Sequence, residues 1–353
     1  MESMNIPVKR PTEGFLQELR FRIAPRYRVV WIALAALLIL GAVSVDGLFA
    51  DPSIEFFTAL AGVLAVAAAG QMLVIMLGGI DLSAPAVMSL AGAIIVKQTQ
   101  GADDQLLVAI LEGIAAAAAV GLLNGVLVTF AKINSFIVTL ATNGIFLGAI
   151  VIWAGNIYSP TGAVPPALSN FAGEAIGPFS LFGVLAFVFL FVIGRLIRDT
   201  APGRAFVATG TNAGAAKIVG IHTRAYRVGA YMVASVLFMI AGILLAGVVR
   251  TPNIAVGDPY QLTTIVAVAL GGASLAGGPA SPLCTAAGCL FVAVLSQYLS
   301  LGDFAPGVKV LANGVVLVVA VVLVTSGVGR RMRLERLVSR FRPGGSAAGE
   351  PNQ

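Results

Sequence analysis

The sequence predicts an all-α fold, a polytopic membrane helical bundle of about ten transmembrane helices. Three observations carry that prediction. Of 353 residues, 58% are hydrophobic and only 11% charged, and the mean hydropathy of +0.95 lies outside the range of a soluble domain. Apolar runs long enough to cross a bilayer, about 20 residues each, recur from Val29 to Val324. Lys and Arg flank these runs instead of interrupting them.

The first span, 29–49, follows a polar and basic segment too long for a cleavable secretory signal, so it is expected to stay as an uncleaved span. The second, 54–77, ends at the stretch LGGIDLSAPAVMSLAGAIIV from Leu77, and the third, 83–97, opens inside it. There Ser83 can act as N-cap, with Pro85 in the first turn, where its missing N–H costs nothing. The fourth, fifth and sixth spans are 105–130, 135–153 and 179–197, and a basic loop separates them from the seventh, 225–249. The eighth, 260–276, runs into LGGASLAGGPASPLCTAAGCLFV from Leu270, and the ninth, 282–300, opens at Ser281 and Pro282. The tenth is 307–326. The third and eighth are short, which predicts tilted, broken or partly inserted helices.

The stretches from Leu77 and Leu270 resemble each other, as do LNGVLV from Leu123 and ANGVVL from Ala312, at offsets of 193 and 189 residues. Either a parallel internal repeat, common in transporters, or a coincidence of Ala/Gly-rich composition produces such matches.

Orientation follows from charge. Of 22 Lys and Arg, all but Lys97, Arg250 and Lys309 fall in 1–28, at Lys132, in 194–228 or in 327–353. Cytoplasmic loops near span ends carry this excess, so both termini are expected in the cytoplasm. The organisation is a basic cytoplasmic segment 1–28, a transmembrane domain 29–326 with a cytoplasmic loop at about 198–224, and a basic cytoplasmic tail 327–353. In the tail, GRRMRLERLVSRFR reads as an amphipathic helix on anionic lipid or as a solvated tail. The basic residues are not interleaved with aromatics, so nucleic acid is not an expected partner.

Chemistry is scarce. His222 lies alone in the basic loop, Cys284 and Cys289 share one span as packing residues, and no metal site or catalytic residue is expected. No lysine stands in a phosphate-binding loop, so ATP, if used, is bound by another chain. Asp81 and Glu112 are the clear carboxylates in or beside the spans, few for an ion-coupled carrier. Asp81 reads as a cap or turn residue. Gln71, Ser89, Asn124, Thr139, Thr142, Asn143 and Asn313 fall inside spans, where they either bond between helices or line a path for a hydroxylated solute.

The loop holds GTNAGAAKIVGI, Gly210 to Ile221. Asn212 can cap a helix over Ala213 to Val219, Gly220 can close it, and Ala213, Ala215 and Ala216 offer a flat face, with Lys217 at the favourable end of the dipole. Without a reactive group, the stretch is a mechanical docking element or a compact loop.

GGIDLS, FIVTLAT, GTNAGAAKIVGI, AGILLAG and LGGASLAGG occur in order between Leu60 and Val324, and in this the chain resembles permease subunits of ribose/arabinose/galactose-type ABC importers. The resemblance marks Gly78, Gly79, Asp81, Ser83, Gly271, Gly272, Gly277 and Gly278 as the structural motifs. It implies that Asn212, Ala213, Ala215, Ala216, Lys217, Gly220 and Ile221 couple the chain to an ATPase. It also implies a second permease subunit, two ABC ATPase domains carrying ATP and Mg, an extracytoplasmic sugar-binding protein, and residence in a bacterial plasma (inner) membrane. The expected function is import of a monosaccharide or similar polyhydroxylated solute by alternating access, with no enzyme activity on this chain. The alternative is a secondary transporter or channel working without an ATPase. Asn134-Ser135 and Gln261 depart from the family pattern, which leaves the solute open.

Overall fold

A computed structural model describes residues 25–154 and 163–322. Most of the expected basic segment 1–28 and all of the tail 327–353 lie outside the described residues. The elements in chain order are α1 (Pro25–Ser44), α2 (Asp51–Met76), α3 (Ala84–Thr99), α4 (Leu106–Thr129), α5 (Ser135–Ala154), α6 (Pro166–Ala172), a hairpin of β1 (Ala175–Ile176) and β2 (Phe179–Ser180), α7 (Leu181–Asp199), α8 (Ala201–Thr211), α9 (Ala213–Ile218), α10 (Thr223–Val249), α11 (Tyr260–Leu270), α12 (Pro282–Leu301) and α13 (Pro306–Val322).

Seven of these helices are long and apolar enough to cross a membrane, and the shorter apolar helices α3, α11 and α13 complete the expected ten. The chain is a polytopic helical membrane bundle. Two boundaries differ from expectation. The eighth span stops at Leu270, because Gly272 takes a φ of +83° and turns the chain out of the helix. At 11 residues, α11 reaches roughly half the hydrocarbon thickness. The segment between the expected fifth and sixth spans carries α6 and β1, and β2 takes the first two residues expected in the sixth; the hairpin pairs Ala175 with Ser180 and Ile176 with Phe179.

Helix α2 is the axis of the bundle, with 89% of its apolar stretch buried. Its composition explains how: in lipid, helices gain little from hydrophobicity and pack instead through small residues that let backbones approach. A Cβ on Gly62 would stand 2.6 Å from Gly183 Cα of α7, and one on Gly70 would stand 2.9 Å from the Ala234 carbonyl of α10. Helix α10 meets α4 and α3 in the same way, at Gly125 against Val228 Cα (2.9 Å) and at Gly242 against the Met88 carbonyl (2.6 Å). In contrast, α1, α4, α5 and α7 keep only 22–28% of their apolar stretches buried, which leaves broad apolar faces outward.

Candidate functional site

Two short helices, α3 with 16 residues and α11 with 11, adjoin irregular backbone inside the bundle, and that backbone is where the glycine motifs lie. Helix α2 ends with Gly78 at φ +77°, its N–H bonded to the Ile75 carbonyl (2.9 Å), while the Gly79 N–H reaches the Val74 carbonyl (3.1 Å). Helix α11 ends alike, with Gly272 at φ +83° bonded to the Ala269 carbonyl (2.9 Å) and Ala273 to the Val268 carbonyl (3.3 Å). Both are left-handed Schellman closures. The two stretches thus share a helix closure, shifted by one residue from the Leu-Gly-Gly match.

The two turns touch. The Gly278 N–H donates to the Met76 carbonyl at 2.9 Å. Gly277, at φ +96°, is in a conformation that L side chains rarely adopt, and a Cβ would press on its neighbours, 3.0 Å from the Gly210 carbonyl and 3.2 Å from the Gly78 nitrogen. Gly210, on α8, itself abuts the Met76 carbonyl. Three backbones, one from each glycine turn and one from the basic loop, thus meet without intervening side chains.

Beyond the first turn, residues 80–83 run as irregular backbone into α3, and side chains satisfy backbone groups of this stretch and of the first turn of α3 one by one. The Ile80 N–H donates to Ser135 Oγ (3.2 Å), the Leu82 N–H to Thr139 Oγ1 (2.9 Å) and the Ala86 N–H to Asn143 Oδ1 (3.0 Å), a stripe along α5. The Gln71 amide, with its nitrogen toward the Asp81 carbonyl, donates there at 2.9 Å and accepts from the Asp81 N–H at 3.2 Å. Thr142 donates to Asn124 (2.6 Å), Asn124 to Ser83 Oγ (3.2 Å), and the Ser83 hydroxyl to Asp81 Oδ1 (2.5 Å). Unpaired polar backbone inside a membrane costs several kcal/mol per group, and this network removes that cost.

The expected path residues Gln71, Asn124, Thr139, Thr142 and Asn143 are thus brought together, at most 8% exposed, each with a polar atom engaged. Ser89 is also buried and accepts from the Gly257 N–H at 3.1 Å. Asn313, on α13, stands apart and half-buried. Ser83 does not cap α3 through its side chain, because its hydroxyl bonds Asp81, whereas Ser281 does cap α12, accepting from the Cys284 N–H at 3.4 Å. Asp81 is a turn residue: Oδ1 accepts from the Ser83 N–H at 2.9 Å, while the buried Oδ2 has no partner.

The basic loop folds as a helix pair. Thr200 caps α8, accepting from the Gly203 N–H at 3.1 Å, and Asn212 caps α9, accepting from the Ala215 N–H at 3.0 Å. Gly220, at φ +85°, closes α9, with its N–H on the Lys217 carbonyl (3.1 Å) and that of Ile221 on the Ala216 carbonyl (3.0 Å). Both caps match the sequence expectation. The face does not. Ala216 is 3% exposed and packs inward, so the expected alanine surface is not the outward one. Ile218 (87% exposed) and Val219 (75%) present the apolar surface, beside Ala215 and Lys217, while Ala213 and Ile221 are half-buried.

Two cavities flank this pair. One, of about 700 Å³, is lined by Leu190, Arg195, Arg198, Arg204 and Ser281 among others. The second, of about 480 Å³, lies between the first glycine turn, the end of α4 and the start of α10. Sequence reading missed Gly210, Ser135, Ile218 and Val219. All but Ser135 sat inside the stretch GTNAGAAKIVGI; Gly210 and Ser135 show their importance only through long-range contacts, and Ile218 and Val219 were hidden by the alanines before them.

Residues 53–324 match the family described as branched-chain amino acid transport system / permease component. The chain is 33% identical over 263 residues to the ribose import permease protein RbsC of Bacillus subtilis (strain 168), covering 72% of this chain and 79% of the relative. It is 34% identical over 268 residues to the galactofuranose transporter permease protein YtfT of Escherichia coli (strain K12), covering 74% and 76%. It is 28% identical over 259 residues to the autoinducer 2 import system permease protein LsrC of Escherichia coli O9:H4 (strain HS), covering 71% and 75%. No solved structure matches the chain.

Proposed function

From its place in the branched-chain amino acid transport system / permease component family, to which this chain belongs, we propose that it is the membrane-spanning subunit of an ATP-driven importer of a monosaccharide or similar polyhydroxylated solute. The observation that carries the reading is the helix pair α8–α9, whose exposed Ile218 and Val219 stand beyond Gly210, the residue that joins both glycine turns. A push on α9 from outside is delivered through Gly210 to the backbones ending α2 and following α11. Such contacts without flexible side chains transmit displacement with little loss.

In this reading the basic end is cytoplasmic, in an inner membrane, and separate ATPase chains bind ATP and Mg and dock on α9. A second permease subunit covers part of the outward apolar faces, and an extracytoplasmic binding protein delivers the solute. The solute class is taken from the relatives named for ribose and galactofuranose. Because Gln71, Ser89, Asn124, Thr139, Thr142 and Asn143 are buried in this conformation, we assign them to holding the bundle, which leaves Asn313 as the remaining path candidate.

Asp81 favours a second reading, since a buried carboxylate with one unpartnered oxygen is what an ion-coupled carrier would use. Vesicle uptake separates the two. Right-side-out vesicles containing the chain and its native partners are screened with labelled pentoses and hexoses. Uptake that requires internal ATP and survives an uncoupler supports the importer; uptake that ignores ATP and collapses with an uncoupler supports the carrier.

A further inference from the structure

The cavity of about 480 Å³ beside the first glycine turn is strongly basic. Lys132, Arg224 and Arg227 line it, and no carboxylate does. The ion pair found among the described residues, Arg195 with Asp199, involves the other cavity. Three like charges in one recess repel unless an anion joins them.

Hydroxyl groups share the wall. Thr129 is 8% exposed and its Oγ1, buried, has no hydrogen-bond partner among the described residues, while Asn134, Ser135, Thr223 and Tyr231 complete the polar lining. Oxygens of an anion within the recess would engage such donors. Beside it the surface is apolar: Phe130, Ile133 and Ile137 are 57%, 41% and 61% exposed, and the Arg224 guanidinium lies 5.7 Å from the Phe130 ring centroid. Ile137 already belongs to the membrane-spanning α5.

We propose that this cavity binds the phosphate headgroup of an anionic membrane lipid through Lys132, Arg224 and Arg227, with the acyl chains lying along Phe130, Ile133 and Ile137. The apolar strip decides between a lipid and an acidic partner protein, because it links the end of one membrane-spanning helix, at Phe130, to the start of the next, at Ile137, where the bilayer meets the recess. Basic recesses between transmembrane helices are suited to such headgroups. The inference rests on the membrane reading and on neither the solute nor the ATPase.

Native mass spectrometry tests it on the full chain with its native partners, purified in mild detergent. The expected result is one anionic phospholipid retained per chain. Retention should fall about fivefold in Arg227→Gln and further in Lys132→Gln with Arg224→Gln and Arg227→Gln, should persist in Arg227→Lys, and should be unmoved by inorganic phosphate. If the triple variant does not assemble, Arg227→Gln and Lys132→Gln alone give the comparison. Wild-type chain without lipid, or equal retention in every variant, overturns the proposal. Binding of inorganic phosphate without lipid makes it a free-anion site, and unchanged lipid with loss of a copurifying ATPase makes it a protein dock; both overturn it. Recovery without any ATPase contradicts the importer reading and leaves the lipid comparison intact.

Discussion

The Gly278 N–H donates to the Met76 carbonyl at 2.9 Å across the two glycine turns, more than 200 residues apart in the chain. That bond closes a junction in which a Cβ on Gly210 would collide with the Met76 carbonyl and one on Gly277 would press on the Gly210 carbonyl at 3.0 Å.

Gly277→Ala tests the junction. It combines the left-handed penalty, roughly 1–2 kcal/mol, with a Cβ 3.0 Å from the Gly210 carbonyl. Gly220→Ala carries only the conformational part, since a Cβ there meets nothing within 4 Å. Thermal unfolding in detergent should rank Gly277→Ala as the more damaging.

Thr139→Val leaves the Leu82 N–H without an acceptor. The expected loss is about 1–3 kcal/mol, read as a lowered unfolding temperature, and Thr139→Ser should restore most of it. Equal stability of the valine variant would show that the Leu82 N–H has another acceptor.

Ile218→Asp and Ala216→Asp separate docking from folding. Ile218 is 87% exposed and Ala216 is 3% exposed. The first should leave yield and unfolding unchanged while lowering ATPase copurification by roughly tenfold or more; the second should destabilise the chain itself.

Asp81→Asn keeps an acceptor for the Ser83 N–H and hydroxyl. The importer account expects solute uptake to continue in the presence of an uncoupler. Loss of uptake with normal assembly would mean that ionisation of Asp81 drives the cycle.

The spans were legible because transmembrane helices are long, continuous apolar runs, and nine of the ten expected spans lie within about five residues of the helices at each described end, the end of the tenth lying outside the described residues. The exception, α11, ends at a glycine that a hydropathy pattern reads through. The caps of α9 were legible too, since Asn212 and Gly220 act on neighbours three or four residues away. What remained hidden was long-range. Nothing local says that Thr139 faces Leu82, 57 residues earlier, or that Ala216 turns inward while Ile218 turns out. The hydroxyl of Ser83 looked like a cap because sequence shows the vacancy at a helix start but not the buried Asp81 that competes for it.

The central claim is that this permease works through ATPase chains docked on α9. The most direct measurement is to purify the tagged protein from its native membrane in mild detergent and identify the copurifying chains by mass spectrometry. The account predicts a chain carrying a phosphate-binding loop, in a fixed ratio to the permease and lost in Ile218→Asp. A protein recovered alone, whose uptake follows an ion gradient, would contradict it.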